Sequence, residues 1–575
     1  MPVHNADIAE IFNRTADLLE IQGANPFRVR AYRNAARTVG GMSKNIADMT
    51  GNDNGLSELP GIGKDLAGKI KEIIETGKLS QLKDLEKEMP SGLYDVLKIP
   101  GLGPKKVKVL YETLKISSVD DLKKAAKKRK IRDLSGFGEK TEKDILDEIE
   151  RKGGSEDRLR VSLAEPIADS LMDYIKKVKG IKEIAAAGSF RRRKETVGDL
   201  DILVTCKKGT NEQVMARFVD YEDVGQVLSH GETRSSVVLK SGLQVDLRVV
   251  PEASYGAALH YFTGSKAHNI AVRKMGVKKG LKINEYGVFK KDKRVAGRTE
   301  KEVFKQVDLP YIEPELREDR GEIEAAGNKK LPALLTLDDV RGDLHSHTKD
   351  TDGRFSTEEM VEAAKERGYE YLGISNHSQR LTVARGLDKK RLAKQIREID
   401  RLNEKMKDFI ILKSIEVDIL EDGSLDLPDS ILKELDFAVC SVHSKFRLSR
   451  DKQTERVIRA MDSRYCHILG HPTGRLINER EPYDIDIEKI LEAAKERGCF
   501  MELNAQPERL DLNDIHCKTA KEMGVKVAVS TDAHSINNLD YMRFGVWQAR
   551  RGWLEPGDVL NTRSWEELKG LFKRR

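Results

Sequence analysis

The chain has 575 residues, of which 34% are charged and 39% are hydrophobic. One hydrophobic core cannot serve such a length, so we expect about three or four domains. No apolar run approaches the ~20 residues of a membrane span, and the N-terminus lacks a signal-peptide pattern. The five cysteines form no CxxC pair, which predicts reduced thiols and a cytoplasmic location.

Basic residues are concentrated in the first part of the chain. Residues 1–313 contain 57 basic and 46 acidic side chains, whereas residues 314–575 contain 45 and 49. A positive excess of this kind is typical of proteins that bind a phosphate backbone. The charge distribution therefore favours a nucleic-acid partner for the first part.

Three similar units follow a predicted amphipathic helix at residues 6–21. Each unit, at 59–74, 99–114 and 134–149, has an apolar residue, a short GxG turn and a helix. The glycines permit a tight turn, after which the helix N-terminus can face a DNA phosphate. The units resemble the helix-hairpin-helix motif, which contacts the DNA backbone rather than base sequence. The residues that we expect at the DNA are Gly61, Gly63, Gly101, Gly103, Lys105, Gly136 and Gly138.

Three carboxylates mark the next chemical centre. Side chains alternate along a strand, so Asp199 and Asp201 point to the same side and can share a divalent cation. Asp246 alternates with apolar residues on a second predicted strand and supplies a third carboxylate. Gly188 and Ser189, followed by arginines, offer N–H groups, a hydroxyl and guanidinium groups to a phosphate chain. The combination predicts a magnesium-dependent nucleotidyltransferase site.

The elements GSFRR-x6-DLD, the Asp246 strand and YFTGS-x3-N-x3-R closely resemble family X DNA polymerases, the DNA polymerase β group. The resemblance implies that Asp199, Asp201 and Asp246 hold two catalytic ions, Mg²⁺ or Mn²⁺. Lys266 departs from the pattern, which has an acidic residue there. By the same resemblance the incoming nucleotide contacts Gly188, Ser189, Arg192, Arg248, Tyr261, Phe262, Gly264, Asn269 and Arg273.

The first glycine unit also resembles the lyase domain of DNA polymerase β. Lys69 occupies the position of that family's Schiff-base lysine, and cations nearby can lower the pKa of such an amine. Asp65, however, stands where the animal enzyme has a basic residue. A solvated helical lysine is the alternative interpretation.

A second centre lies in the C-terminal section. A short apolar strand that ends in a residue able to bind a metal recurs between residues 341 and 534, with amphipathic helices between the strands. This alternation predicts a distorted β/α barrel with its site on one face. Imidazole mixed with carboxylate suits Zn²⁺, Mn²⁺ or Fe²⁺ better than Mg²⁺. The candidate ligands are His345, His347, Asp352, His377, Glu416, His443, His471, Asp532 and His534.

This ligand pattern closely resembles the PHP (polymerase and histidinol phosphatase) phosphoesterase domain. The resemblance implies metal-assisted hydrolysis of phosphate esters by a cluster of three ions, Zn²⁺ and/or Mn²⁺. We expect Asn504 to support the ligands, and we interpret His467 and His516 as structural.

The fold class that we predict is multidomain. A lyase-like helical domain (1–80) and helix-hairpin-helix fingers (81–150) precede an α+β palm (151–250) and a thumb (251–313). A linker (314–337) leads to the PHP domain (338–575). Such a chain would be a monomeric repair polymerase that binds gapped DNA and dNTPs, fills short gaps in base excision repair and trims 3′ ends by exonuclease, abasic-site endonuclease or 3′-phosphatase activity.

Three alternatives stay open at this point. The chain could be a DNA-end-binding scaffold with inactive sites, in which the metals are structural. It could be an RNA-type nucleotidyltransferase with the same palm, although the YFTGS and glycine-turn elements argue against that. The C-terminal section could be a small-molecule phosphatase.

Overall fold

The N-terminal unit, residues 1–156, contains helices joined by turns and no strand among its described residues. The computed structural model describes residues 5–40, 42, 46–49, 56–57, 59–90, 92–97, 99, 102–134, 136–150 and 158–573. In the first unit, apolar faces such as that of Ile8, Phe12 and Leu19 pack into one core. Its α-helices are α1 (Asn5–Gln22), α2 (Pro26–Gly40), α3 (Lys64–Thr76), α4 (Ser80–Glu88), α5 (Leu93–Leu97), α6 (Pro104–Leu114), α7 (Val119–Lys127) and α8 (Glu139–Glu150).

Each glycine turn leads directly into a helix. Helix α3 begins after Gly63, α6 begins after Gly103 and α8 begins after Gly138. Gly61 and Gly136 have φ values of +79° and +84°, a region that favours glycine. Gly101 lies outside the described residues.

The second unit, residues 157–575, begins with a five-stranded sheet that carries the three predicted acids. Its strand order is β2-β4-β7-β6-β5, with β4 and β7 parallel and the other neighbours antiparallel. The elements are β1 (Leu159–Arg160), α9 (Val161–Lys176), β2 (Ile181–Ala186), α10 (Gly188–Arg191), β3 (Thr196–Val197), β4 (Asp199–Cys206), α11 (Asn211–Val219), β5 (Val224–His230), β6 (Arg234–Leu239) and β7 (Gln244–Val249).

Helices and a small antiparallel sheet follow. These elements are α12 (Tyr255–Thr263), α13 (Lys266–Lys278), β8 (Leu281–Asn284), β9 (Gly287–Lys290), β10 (Lys293–Ala296), α14 (Glu300–Gln306) and α15 (Glu322–Gly327). The predicted linker, 314–337, packs against this section: Arg317 is fully buried and Nδ1 of His268 lies 2.7 Å from Oε1 of Glu322. The predicted domain boundaries stay predictions.

Parallel strands form the barrel of the C-terminal section. One sheet runs β11-β12-β13 and the other β14-β15-β16-β17-β18. Bridges between His377, after β12, and Glu416 of β14, and between Ser346 of β11 and Ala533, after β18, connect the two sheets and close the ring. The strands are β11 (Gly342–Ser346), β12 (Tyr371–Ile374), β13 (Ile410–Lys413), β14 (Glu416–Asp418), β15 (Val439–Ser441), β16 (Ile468–Leu469), β17 (Phe500–Asn504) and β18 (Val527–Ser530).

Helices surround the barrel and fill its outer layer with apolar side chains. The helix α23 adds Trp565 and Leu568 to a separate cluster with Leu344 and Val439 of the strands. The helices are α16 (Thr357–Glu366), α17 (Lys389–Asn403), α18 (Asp429–Leu432), α19 (Arg450–Asp462), α20 (Ile487–Arg497), α21 (Asp514–Met523), α22 (Met542–Arg551) and α23 (Trp565–Leu571). Across the described residues, no helix is both long and apolar enough to cross a membrane.

Candidate active sites

The three predicted acids lie together on the two parallel strands of the first sheet. Asp201 of β4 is the direct cross-strand partner of Asp246 of β7, and Asp199 lies two residues before Asp201. Burial, together with the negative charges of Asp199 and Asp246, raises the pKa of Asp201 to about 7. Such mutual repulsion is what a bound cation would relieve. The donor set therefore suits a divalent metal.

The turn that contains Gly188 and Ser189 (the glycine-serine turn) lies next to Asp201. The N–H of Ala187 donates to the carbonyl of Asp201 (2.8 Å). Gly188 has a φ of +62°, and a Cβ added there would lie 3.1 Å from Oδ2 of Asp201. Glycine is thus required both by the backbone conformation and by the approach to the carboxylate. Ser189 follows as the second residue of α10.

Arg192, the arginine predicted to bind phosphate, forms side-chain hydrogen bonds with two other residues of the protein. Nε of Arg192 donates to Oε1 of Glu318 (2.9 Å), and its Nη1 donates to the carbonyl of Thr263 (2.8 Å). Arg191, its neighbour, forms a two-pronged pair with Glu300 at 2.7 and 2.9 Å. Arg192 and Arg191 therefore link the turn to the residues around the end of α12.

The other predicted nucleotide contacts surround the end of α12. The rings of Tyr261 and Phe262 are edge to face at 5.1 Å, and Arg248 lies 4.7 Å over the ring of Phe262. Nδ2 of Asn269 donates to the carbonyls of Tyr261 and Gly264. A Cβ on Gly264 would come within 2.6 Å of Oδ1 of Asn269, so this turn requires glycine.

Arg273 lies one turn after Asn269 on α13. Its Nε donates to the carbonyl of Asn269 (3.2 Å), and its guanidinium group lies 5.9 Å from the centroid of the Tyr261 ring. Lys266, the departure from the family pattern, is exposed at the start of α13. The structure thus places all the predicted nucleotide contacts on β7, α10, α12, α13 and the turns beside them.

The glycine turns of the N-terminal unit are open. A Cβ added at Gly63, Gly103, Gly136 or Gly138 would meet no described atom within 4 Å, and Lys105 is exposed. Unobstructed helix N-termini are what contact with a phosphate backbone requires.

Lys69 has a different environment from the one predicted. Its ammonium group pairs with Asp65 and lies 5.4 Å from the centroid of the Tyr32 ring. Burial acts to lower the pKa of Lys69, but the interactions with Asp65 and Tyr32 outweigh it and raise the pKa. A Schiff-base lysine needs the opposite shift, so the lyase role stays a prediction.

All nine predicted ligands converge at one end of the barrel. They form three overlapping groups whose donor atoms lie within 4.8 Å of one another: His345, His347 and Asp532; His347, Asp352, His377 and His534; His377, Glu416 and His443. Nε2 of the ninth, His471, lies 2.9 Å from Oε1 of Glu416. Three overlapping sets around shared residues match the donor arrangement of a multi-ion cluster.

Two of the nine residues, His347 and Glu416, are already in the protonation state that a metal ligand needs. Burial and the neighbouring imidazoles of His534 and His377 lower the pKa of His347 to about 3, which keeps its ring neutral. Burial opposes ionisation of Glu416, but the surrounding histidines hold its pKa well below the usual value. Both ring nitrogens of His347 are buried and have no hydrogen-bond partner within residues 158–573. A neutral imidazole and an ionised carboxylate are the forms that coordinate a cation. Although burial acts to lower them, nearby carboxylates raise the pKa values of four other ligands, which favours their protonated rings until a cation binds: His345, His377, His443 and His534.

Several supporting residues were not predicted. Oε1 of Glu502, which is fully buried, lies 2.7 Å from Nδ1 of His345, and Oε2 accepts from the N–H of His471 (2.6 Å). Asp343 accepts from the N–H of His345 (3.1 Å). Both acids lie inside short strands, Asp343 in β11 and Glu502 in β17.

The sequence also predicts a supporting role for Asn504 and structural roles for His467 and His516. Nδ2 of Asn504 donates to Oδ2 of Asp532 (3.0 Å), in agreement with a supporting position. His467 accepts from the N–H of Ala438 through Nδ1 (3.0 Å). His516 is half-buried, and desolvation together with the charge of Arg475 lowers its pKa to about 4. The structure places neither of the two histidines among the nine converging residues.

Five family models match the chain in order. They are a helix-hairpin-helix domain (3–79), a SAM-like helix-hairpin-helix tandem (93–151), a DNA polymerase beta palm (162–252), a DNA polymerase beta thumb (258–318) and a PHP domain (343–506). These matches confirm the predicted fold class. Together they imply DNA binding and bound divalent metals.

Curated relatives match the whole chain or parts of it. The chain is 38% identical over 576 residues to the DNA polymerase/3′-5′ exonuclease PolX of Bacillus subtilis (strain 168), covering 100% of both chains. A probable phosphatase of Thermoanaerobacter sp. (strain X514) is 36% identical over 38% of this chain and 89% of its own length. DNA polymerase lambda of Rattus norvegicus is 28% identical over 55% of this chain and 56% of its own. Full-length similarity, together with the palm, thumb and PHP matches, shows that the chain belongs to the family X DNA polymerases that carry a C-terminal PHP domain.

Proposed function

We propose that the protein is a DNA-directed DNA polymerase that fills short gaps in base excision repair and processes DNA ends with its PHP section. The observation that carries the proposal is the presence of two separate carboxylate-bearing sites in one chain. Asp201 faces Asp246 on the palm sheet, and nine histidine and acidic residues converge in the barrel. The names of the Bacillus and rat relatives support polymerisation, and that of the Bacillus relative supports 3′-5′ exonuclease activity.

In the polymerase site, Asp199, Asp201 and Asp246 would hold Mg²⁺ or Mn²⁺. Arg192 and the glycine-serine turn would bind the triphosphate of the dNTP, and Tyr261 with Phe262 would flank its sugar. In both sites, bound divalent cations would activate the attacking hydroxyl group or water and neutralise charge on the phosphate. The protein side chains orient the reactants and supply the negative charge that retains the cations.

In the PHP site, the nine converging residues would hold three ions, Zn²⁺ and/or Mn²⁺. The neutral ring of His347 and the ionised Glu416 are prepared to coordinate without losing or gaining a proton. We propose 3′-5′ exonuclease as the main reaction of this site, with abasic-site endonuclease and 3′-phosphatase as further reactions on DNA ends. The open glycine turns of the N-terminal unit would bind the DNA backbone.

Two variants test the assignment. Asp246→Asn should abolish dNTP addition on a gapped duplex and leave metal-dependent degradation intact. His345→Ala combined with His347→Ala should have the reverse effect. Loss of both activities in either variant, with folding retained, would contradict two independent sites, and incorporation of NTPs in preference to dNTPs would favour an RNA-type enzyme. Wild-type protein that binds DNA ends without turnover would favour the scaffold.

A phosphatase acting on small molecules is the second candidate for the PHP section. The 36% identity to a probable phosphatase favours it. Comparing hydrolysis of histidinol phosphate with degradation of 3′-recessed DNA decides between the two. We further propose that the protein is cytoplasmic and monomeric. Light scattering on the purified protein tests whether it is a monomer.

A further inference from the structure

Arg551, at the end of α22 in the PHP section, reaches the polymerase residues. Its Nη1 donates to the carbonyl of Arg192 (2.8 Å) and to Oε1 of Glu318 (3.1 Å), and its Nη2 donates to Oδ2 of Asp514 (2.6 Å). The side chain is 4% exposed. A PHP-section guanidinium group is therefore in direct contact with the backbone of the residue that we place at the dNTP triphosphate.

Glu318 connects Arg551 with the side chain of Arg192. The same oxygen, Oε1, accepts from Nε of Arg192 (2.9 Å) and from Nη1 of Arg551. Burial opposes ionisation, but Arg551, Arg192 and Lys194 lower the pKa of Glu318 to about 2. Glu318 is therefore a permanent anion next to Arg192, and it competes with a triphosphate for the same guanidinium group.

The charges around Glu318 determine how strongly it holds Arg192. Lys194 is the third cation near it, while Asp514 takes hydrogen bonds from Arg551 and Arg320. Arg551 is the cation that contacts both Glu318 and the Arg192 backbone. Without it, a buried carboxylate would rely mainly on Arg192 for compensation, because an unpaired buried charge is costly.

We propose that Arg551 is a positioning residue for the polymerase reaction: by neutralising Glu318 and fixing the Arg192 backbone, it leaves the Arg192 guanidinium group available to the dNTP triphosphate. The inference rests on the proposed polymerase function and on the triphosphate role of Arg192. It makes dNTP affinity depend on a residue of the phosphoesterase section.

A second ion pair between the same two sections provides the matched control. Nε and Nη2 of Arg543, also on α22, lie 3.1 and 3.0 Å from Oε2 of Glu165 on α9. Neither residue contacts Arg192 or Glu318. Arg543→Met therefore removes a pair between α22 and the palm section without changing the charges around Arg192.

The test is steady-state gap filling with purified full-length variants. Arg551→Met should raise the KM for dNTP about tenfold, the effect of losing roughly one charge-assisted hydrogen bond, with a much smaller change in kcat. Arg543→Met should leave the KM unchanged. Adding Glu318→Gln to Arg551→Met should bring the KM back toward the wild-type value, because the competing anion is gone.

Three results would overturn the inference: an unchanged KM in Arg551→Met, an equal rise in Arg543→Met, or no recovery in the double variant. Glu318→Gln alone keeps the test decisive if Arg551→Met does not fold. Its KM should be at or below the wild-type value, and a rise would contradict competition. A wild-type protein that fails to extend primers would instead reject the proposed function.

Discussion

Nδ1 of His345 lies 2.7 Å from Oε1 of Glu502, a carboxylate that is fully buried beneath the barrel ligands. The contact leaves Nε2 of His345 facing Glu416 and Asp532, at 3.5 and 3.7 Å from their oxygens. Carboxylates behind a metal-binding histidine fix its tautomer and ring orientation. Glu502 therefore determines which nitrogen of His345 is offered to an ion.

We expect Glu502→Gln to weaken metal binding at the PHP site. Loss of such a partner typically costs about 10- to 100-fold in metal affinity or activity. The measurement is the Mn²⁺ concentration that half-activates degradation of 3′-recessed DNA. Glu508→Gln is the control, because Glu508 is partly exposed and pairs with Arg160 at 3.5 Å instead. Equal activation curves for Glu502→Gln and wild type would remove Glu502 from the metal site.

The role of Glu502 could not be predicted from the sequence. Most of the nine ligands could be predicted because they lie at or just after the end of a short strand, and parallel strands bring such ends together. Glu416 instead begins β14, and Asp352 lies in a turn after β11. Glu502 lies inside the strand Phe500–Asn504, and its role depends on how β17 faces β11. Arg551 and Glu318 are 233 residues apart, and the packing of α22 against Pro314–Leu316, just before Glu318, makes them neighbours. Local periodicity carries no information on such contacts.

Residues 314–337 illustrate the same limit. The stretch lacks steady periodicity, on which the predicted linker rests, and Arg317 and Glu322 within it are fully buried. Nη1 of Arg317 reaches Glu300 (2.5 Å) and Glu322 reaches His268. These contacts join residues that are 17 and 54 positions apart in the sequence, and a spacing rule cannot detect them.

The raised pKa of Asp201 in the palm predicts that metal binding at Asp199, Asp201 and Asp246 depends on pH. Burial, with the charges of Asp199 and Asp246, raises the pKa of Asp201 to about 7. A cation must displace the proton that Asp201 holds below that pH. Affinity should therefore rise about tenfold per pH unit up to about pH 7 and then level off.

Calorimetric titration with Mn²⁺ from pH 5.5 to 8.5 measures this dependence. The His345→Ala, His347→Ala background directs the signal to the palm. Asp201→Asn should bind weakly and lose the slope below pH 7. A flat affinity profile in the background protein would contradict a protonated Asp201.

The lowered pKa of Glu300 predicts how the stability of the second unit changes as the pH falls. It pairs with Arg191 and Arg317, and Tyr311 donates to Oε2 (3.3 Å). Burial alone would raise its pKa, but the two arginines lower it to about 2. Because the folded-state pKa lies below the unfolded value of about 4.5, the stabilisation is complete above that pH and is lost as the pH falls toward about 2.

Glu300→Gln should lower stability at neutral pH by about 3–5 kcal/mol, since it leaves buried guanidinium groups uncompensated. Its melting temperature should fall less steeply than that of the wild type between pH 4.5 and 2. Glu302→Gln is the control on the same helix, because it keeps an oxygen for the N–H groups of Gly297 and Arg298. Parallel pH profiles for Glu300→Gln and wild type would contradict the assignment.

The ion pair between Lys69 and Asp65 predicts that Asp65→Asn increases lyase activity. The interactions with Asp65 and Tyr32 raise the pKa of Lys69 despite burial, so little of the amine is neutral at pH 7. Asp65→Asn removes an exposed-site pair of about 0.2–1 kcal/mol, which corresponds to a roughly 1.4- to fivefold larger neutral fraction. Borohydride trapping on a 5′-deoxyribose phosphate end should rise by that factor. Lys69→Ala should abolish trapping and Lys71→Ala should not; trapping that persists without Lys69 would place the nucleophile on another amine.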